Sequence, residues 1–571
     1  MLINMNPQLT IIIPFLNEKE EVSNTVRSIR EHSNSDEVVI LLINDASDDG
    51  YDYRQVAETY QTEYILNPVR LGVAASRDMG VARSHTPYVM LLDAHMRFYD
   101  DKWLGRILDE LKKDEKVLLC CQTKGLQIVG GKLVEINGRP LSYGACINFY
   151  TGRLLFECEW IFHENEEERD LQTIRIPCVL GATYCCSKKY WQYLRGVEGL
   201  TCYGNDEPYI SMKVYMEGGS CKLLKDVTVG HIYRSVPPYR VEDFTRIYNR
   251  LLLSELLLPD DYKARLFSQT ISYYYCYNYQ DALFLLYKNR REINALKQYY
   301  KGIFKYDFTY YESINRRGHN FINIVENREV LLKEIAHHVI LNTNLTSGIG
   351  LLNGKMGIVL FLFHYGRHTE NDVYIQLAEK MLDDVIDNIN INTPLSFHEG
   401  LMGIGWAVEY LHQKGLIDGD TNDILEAVDN KVMESFSPLV MEDLNLDKGL
   451  GGIVQYVLAR LYTIEKEKKD NSFASDFLCS LYEKVKRVLD NKTRNSDSLA
   501  VFIRFVTYFE ELVPIQAPSI YDIVYLRLPL GDYQPEKYVS GLDGNSGAGL
   551  KLIFETLKST LPFCNSKIEY I

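Results

Sequence analysis

Four short apolar runs, Leu9–Ile13, 37–43, Tyr64–Leu66 and Tyr88–Leu92, mark the N-terminal part of the chain. Segments 18–32, 52–61, 72–85 and 101–112 carry apolar positions at helical spacing. Runs this short and continuous predict strands covered on both faces. Their alternation with helices predicts a parallel α/β sheet from Leu9 to about Gly125. Open sheets of that kind bind ligands outside the carboxyl ends of their strands. Polar punctuation falls at those ends: Pro14-Phe15-Leu16-Asn17-Glu18, then Asn44-Asp45-Ala46-Ser47-Asp48-Asp49-Gly50, then Asp93-Ala94-His95.

The pattern changes downstream. Residues 241–330 read as helices rich in Tyr and Leu, including Tyr273-Tyr274-Tyr275 and Tyr299-Tyr300, whose aromatic clusters suit packing. From about 331, long helical periodicity is interrupted by a glycine motif. It stands at Gly354-Lys355-Met356-Gly357, Gly400-Leu401-Met402-Gly403, Gly449-Leu450-Gly451-Gly452 and Gly544-Asn545-Ser546-Gly547, with a degenerate copy at Ser498-Leu499-Ala500-Val501. Five copies spaced by 46 to 49 residues fit one helix pair per repeat and predict an all-α (α/α) solenoid or closed toroid, the glycines admitting close helix approach. The expected organisation is a sheet domain over 1–240, a helical linker or extension over 241–330 and an α/α repeat domain over 331–571.

A chain of 571 residues, 46% hydrophobic, is long enough for two or three cores. A net charge of −15 and a pI near 5.4 argue against a nucleic-acid or anionic-membrane partner, either of which needs a basic face, but are compatible with a local basic cleft around phosphates. The twelve cysteines lack C-x-x-C spacing, and the adjacent pairs Cys120-Cys121 and Cys185-Cys186 are poorly placed for ordinary bridges, so reduced thiols are expected. Met1 to Pro7 has neither the basic start nor the apolar core of a signal peptide. The apolar run Leu251–Leu258 is too short to span a bilayer and contains Glu255. The expectation is a cytoplasmic protein with no membrane span, working on a soluble donor.

Asp93 and His95 stand two residues apart at a strand end, where both can reach one divalent ion, and hard cations such as Mg²⁺ or Mn²⁺ bridge proteins to phosphates. Alone, the tripeptide reads as a turn. Its company is more specific. Ile13-Pro14-Phe15-Leu16-Asn17-Glu18, Asn44 to Gly50, Asn67 followed by Gly72-Val73-Ala74-Ala75-Ser76-Arg77-Asp78-Met79-Gly80, then Leu91-Leu92-Asp93-Ala94-His95 occur in an order that resembles family-2-like glycosyltransferases of the GT-A fold. The D-x-H form resembles the polypeptide N-acetylgalactosaminyltransferases. Four later segments are similar to theirs in order and spacing. Gly181-Ala182-Thr183-Tyr184-Cys185-Cys186 is similar to the glycine-rich donor-sugar segment, and Tyr203-Gly204-Asn205-Asp206-Glu207 to a Trp-Gly-Gly-Glu-Asn segment. Met216-Glu217-Gly218-Gly219-Ser220 is similar to a Gly-Gly turn, and Val229-Gly230-His231-Ile232-Tyr233-Arg234 to a Val-Gly-His-Val-Phe-Arg motif.

The resemblance implies an α/β GT-A domain, a nucleotide-diphospho-sugar transferase with a mostly parallel sheet. Its nucleotide-sugar donor would be UDP-linked, with contacts at Pro14, Phe15, Asn17, Glu18, Asp45, Arg77, Asp93, Ala94, Gly181, Ala182 and Tyr203. Asp93, His95 and His231 would give three ligands to Mn²⁺ or Mg²⁺, which stabilises charge on a departing nucleoside diphosphate. Arg77, on the helix after the third strand, is placed to pair with Asp45 or the diphosphate. Asp206-Glu207 departs from the retaining relatives, which have Glu-Asn there; inverting family-2 enzymes have Glu-Asp, with the second carboxylate as base. Both positions are acidic here, so inversion is expected, with Glu207 as general base and Asp206 on acceptor or donor hydroxyls, an exchange of the two roles staying open.

In the helical half, Phe397-His398-Glu399-Gly400-Leu401-Met402-Gly403-Ile404-Gly405 resembles lanthionine-synthetase-C-like proteins, whose α/α toroid carries zinc in cyclising members. The cyclases' Cys-His-Gly ligand pair is replaced by Asp447-Lys448-Gly449, and Cys479 and Cys564 lie in no ligand motif. No zinc and no cyclase activity are therefore expected, and His398 is expected to cap or pack as an isolated imidazole. Because related toroids handle modified peptides, the favoured reading is a bacterial-type transferase moving a hexose or N-acetylhexosamine to a peptide or protein acceptor held by the helical half. The alternatives are a glycan or lipid-linked acceptor, a separate non-zinc activity in the helical half, and a binding protein with a degenerate transferase domain.

Overall fold

The computed structural model describes residues 7–33, 36–149, 157–234, 238–260, 276–316, 325–343, 346–493, 497–520 and 541–559, with single positions at 262, 263, 266 and 523. Tyr273-Tyr274-Tyr275 and Cys564 lie outside the described residues. The chain divides into two compact units, Met1–Pro259 with Ala295–Asn320, and Asp260–Asn294 with Phe321–Ile571. The 241–330 segment is shared between them. Helices Asp243–Leu257 and Phe308–Asn315 belong to the first unit and Cys276–Lys288 to the second.

The first unit is built on strands β1 (Leu9–Phe15), β2 (Val38–Asn44), β3 (Glu63–Leu66), β4 (Tyr88–Leu92), β5 (Met96–Phe98), β6 (Val117–Val129), β7 (Lys132–Glu135), β8 (Ala145–Ile147), β9 (Cys158–Trp160), β10 (Thr173–Arg175), β11 (Thr183–Ser187) and β12 (Ser220–Ile232). The main sheet runs β10-β12-β6-β11-β4-β1-β2-β3, with β5 on β12 and β7 on β6; β8 and β9 pair separately. The pairs β4-β1, β1-β2 and β2-β3 are parallel, while β11 runs antiparallel between β4 and β6. All seven residues of β1 are buried, as a strand with helices over both faces requires. Helix α1 (Glu20–Glu31) buries Val22, Thr25, Val26 and Ile29, a one-sided stripe at helical spacing. Helices α2 (Tyr53–Thr59), α3 (Val73–Arg83) and α4 (Trp103–Lys113) complete the alternation. Gly80 lets α3 settle onto the sheet, since a Cβ there would lie 2.4 Å from Ile12 Cγ2.

Two pairings set the site. The parallel register of β1, β2 and β4 brings residues 15–18, 44–50 and 93–95 to one edge of the sheet. β5 then pairs antiparallel with β12, placing Met96 opposite His231, so that two segments far apart in the sequence end side by side.

In the second unit each glycine motif opens a helix: Lys355–His368, Leu401–Gln413, Leu450–Glu467, Leu499–Phe509 and Asn545–Ser559. Leu401 to Leu411 are buried throughout, whereas Asp372–Asp387, the helix that packs on Lys355–His368, buries only the stripe Ala378, Met381, Leu382 and Val385. The glycine segments are joined through backbone hydrogen bonds, from Leu352 N–H to His398 O (3.1 Å) and from His398 N–H to Asp447 O (3.1 Å). The last copy returns to the first. Asp543 N–H donates to Leu352 O (2.9 Å), and a Cβ on Gly549 would lie 2.3 Å from the Phe361 ring. The repeat thus closes on itself instead of running on as an open solenoid. The His398 imidazole is not isolated; it lies 3.5 Å from the carboxylates of both Glu399 and Asp543. Among the described residues no helix is long and apolar enough to cross a membrane.

Candidate active site

Where β4 ends, the Asp93 N–H donates to Ala182 O (3.1 Å), so the Gly181-Ala182 segment lies directly against Asp93-Ala94-His95. Ala94 is buried and its carbonyl accepts from Thr25 Oγ1 (2.7 Å), which fixes the turn that brings Asp93 and His95 together. With His231 from β12 these two form a group whose ligand atoms all lie within 4.8 Å of one another. His95 Nε2 faces His231 Nε2 at 3.2 Å, and His231 Nε2 lies 3.5 Å from Asp93 Oδ2.

The electrostatics of this group suit a cation. Burial lowers the His231 pKa and His95 adds to the effect, outweighing Asp93, so the imidazole is held neutral. Burial pushes the Asp93 carboxyl up, but the hydrogen bond with His231 and the Arg77 and histidine charges win, leaving it below its ordinary value. Nδ1 of His95 and of His231 are both buried without a hydrogen-bond partner. One ionised carboxylate with two imidazoles is a donor set that fits Mn²⁺.

Arg77 is buried on α3 and joins this group to the acidic pair. Its NH2 lies 3.1 Å from Asp93 Oδ1, its NH1 pairs closely with Asp206 Oδ2, and its guanidinium stacks 5.2 Å from the Tyr184 ring centroid. Arg77 therefore does not pair with Asp45, which instead accepts from Asn67 Nδ2, Leu71 N–H and Gly72 N–H, each at 2.8 Å. Asp206 also accepts from the Tyr184 hydroxyl (3.3 Å), so it is engaged inside the protein. Glu207, at the N-terminus of helix Asp206–Glu217, is different. Burial raises its pKa, and the opposing Arg77 charge does not cancel the rise. It packs against Gly181 so tightly that a Cβ there would lie 2.2 Å from Glu207 Oε1.

Residues 10–160 match the family model described as Glycosyl transferase family 2. Over those residues the sheet unit is similar to family 2 glycosyl transferases. Residues 347–438 match the model described as Lanthionine synthetase C-like protein, which lies in the repeat unit. Polypeptide N-acetylgalactosaminyltransferase 14 of Homo sapiens is 26% identical over 265 residues, 45% of this chain and 47% of that protein. Polypeptide N-acetylgalactosaminyltransferase 4 of Mus musculus is 26% identical over 276 residues, 46% of each. The chain thus spans about half the length of these relatives. A crystal structure of GalNAc-T7 with UDP, GalNAc and Mn2+ aligns with a TM-score of 0.44 at 19% identity, covering 54% of this chain and 57% of that one.

Pro14 and Phe15 close β1, and Phe15 packs on Tyr53 with ring centroids 4.6 Å apart. Asn17 is tied to the loop after β2 through Asp48, while Glu18 turns the other way, to His95 and Arg234. Tyr203 faces solvent at 45% exposure. Sequence reasoning missed Asn249. This fully buried residue donates from Nδ2 to the carbonyls of Thr201 (2.8 Å), Tyr203 (3.3 Å) and Gly204 (2.9 Å) and accepts from Thr201 N–H (2.8 Å). It holds the loop before Asp206-Glu207, where Cys202 and Asn205 take positive φ of 47° and 66°. The available signal was an asparagine two residues before the apolar run Leu251–Leu258.

Proposed function

We propose that the chain is a metal-dependent glycosyltransferase that moves a hexose or N-acetylhexosamine from a UDP-linked donor to an acceptor hydroxyl, with inversion at the anomeric carbon. The observation that carries this reading is the division of labour in the acidic pair. Asp206 is held by Arg77, and Glu207, beside Gly181, is the carboxylate left to take a proton.

In an inverting displacement the acceptor oxygen attacks the anomeric carbon from the face opposite the leaving diphosphate. The base must stand on the attacking side with a pKa raised toward working pH. Glu207 meets the second condition through burial. A Mn²⁺ ion held by Asp93, His95 and His231 would supply Lewis-acid stabilisation of the negative charge that grows on the departing diphosphate. Arg77 would add fixed positive charge on the same side and keep Asp206 out of the reaction. Asp45 and the turn through Pro14, Phe15 and Asn17 would border the nucleoside, with Asp45 itself spent on the backbone of Leu71 and Gly72. The lanthionine-synthetase-C-like unit would recruit a peptide or protein acceptor; its resemblance to toroids that handle modified peptides supports this part.

Incubating the full chain with Mn²⁺ and a series of UDP-hexoses and UDP-N-acetylhexosamines, and measuring UDP release, tests the activity; no release with any donor or acceptor sinks it. The product configuration, read by NMR, is expected to be inverted, and a retained configuration overturns the role of Glu207. Glu207→Gln is expected to lower turnover by about 10²–10⁴-fold while leaving donor binding intact.

A further inference from the structure

We infer that Glu18 is a positioning residue of the cation site, holding the His95 ring so that Nε2 faces the cation, and that it does not contact the donor. The inference rests on the metal-dependent reading above. Glu18 Oε2 lies 3.4 Å from His95 Nδ1, the ring nitrogen remote from the Nε2 that faces His231. A neutral imidazole that offers one nitrogen to a cation carries its proton on the other, so Nδ1 becomes a donor in need of an acceptor. His95 Nδ1 is buried with no hydrogen-bond partner, and the Glu18 carboxylate stands within ion-pair reach of it. A carboxylate in that place fixes the tautomer and orientation of a ligating histidine and makes it a better ligand.

The backbone is arranged to aim this side chain. Asn17 and Lys19, on either side of Glu18, have φ of 57° and 49°, a left-handed region that non-glycine residues keep only where their surroundings over-determine it. Asn17 exchanges side-chain hydrogen bonds with Asp48, donating from Nδ2 to Oδ1 (2.8 Å) and accepting from the Asp48 N–H (2.9 Å). Lys19 N–H donates to the Tyr53 hydroxyl (2.7 Å), which donates to Asp49 (2.6 Å). The same Glu18 Oε2 also lies 2.6 Å from Arg234 NH1, three residues beyond His231. Glu18 therefore ties the His95 segment to the end of the strand that carries His231. Its side chain is only 4% exposed, so these two contacts leave the carboxylate little open surface.

Mn²⁺ binding to the full chain without nucleotide, followed by loss of the free-ion EPR signal, tests this. Glu18→Gln and Glu18→Ala are expected to weaken Mn²⁺ by about 10–100-fold, with a cooperative thermal transition retained and the binding of UDP in EDTA unchanged. Should either variant unfold, Arg234→Gln removes the anchor of the carboxylate without touching it and is expected to weaken Mn²⁺ in the same direction. An affinity within about twofold of wild type in folded Glu18 and Arg234 variants overturns the inference. So does weakened UDP binding in EDTA with unchanged Mn²⁺ affinity, which would assign Glu18 to the donor. If the wild-type chain itself binds no Mn²⁺, the cation site fails and the metal-dependent reading fails with it, an outcome distinct from the other two.

Discussion

Asp206 and Glu207 are neighbours in sequence with opposite surroundings. Asp206 is paired with a buried guanidinium, while Glu207 is desolvated with less compensation. A carboxylate held by a guanidinium and a buried one whose pKa is raised are suited to different roles, the first structural and the second that of a working base. The pH dependence follows with a definite sign. A base whose pKa is raised must lose its proton before it works, so turnover is expected to rise with pH through a midpoint above the ordinary glutamate range. At saturating Mn²⁺, where histidine protonation no longer competes, the acidic limb that remains in kcat belongs to Glu207; a limb unchanged in Glu207→Gln would remove it from the proton transfer. The two acids were legible in the sequence as a motif. Which of them is engaged was not, because that depends on where Arg77 ends, a contact across the sheet and not along it.

At the scale of elements, the helices that open each repeat copy are apolar nearly all round, yet Leu450–Glu467 carries a charge in its interior. Arg460 is fully buried, with NH2 2.7 Å from Asp429 Oδ2 and Nε 3.0 Å from the same oxygen, and it also reaches Glu409. Tyr456 donates to Asp429 at 2.6 Å. Burial already raises the Glu409 pKa against the attraction of Arg460, so removing the guanidinium strands two carboxylates in the core. Arg460→Ala is expected to cost about 3–5 kcal/mol in urea unfolding of the full chain. A loss well under that range would show that the network is dispensable. The repeat period predicted where these helices begin, through glycines that sit 46 to 49 residues apart. It was silent on the buried ionic cluster, whose members come from three different helices.

For the whole molecule, residues beyond the sheet complete the sheet unit. Asn249 pins the loop before the acidic pair, Asn315 brackets Ile147 through both backbone groups at 2.7 Å, and Tyr311 donates to Pro177 O at 3.2 Å. A fragment ending at residue 240 lacks all three. It is expected to show no cooperative thermal transition, whereas the full chain does; a cooperative fragment would show that the sheet unit folds without them.

The sequence by itself determined what is local. Apolar runs and helical spacing set the alternation of strands and helices, strand-end polar segments set where ligand chemistry would lie, and the glycine period set the helical repeat. These follow from each residue's own preference and its near neighbours. The tertiary structure alone decided which side chains meet: Met96 opposite His231, Arg77 on Asp206 instead of Asp45, Glu18 against His95, and the last repeat copy on the first. Such pairings depend on sheet order and register, which bring distant segments together and leave no periodic trace in the chain.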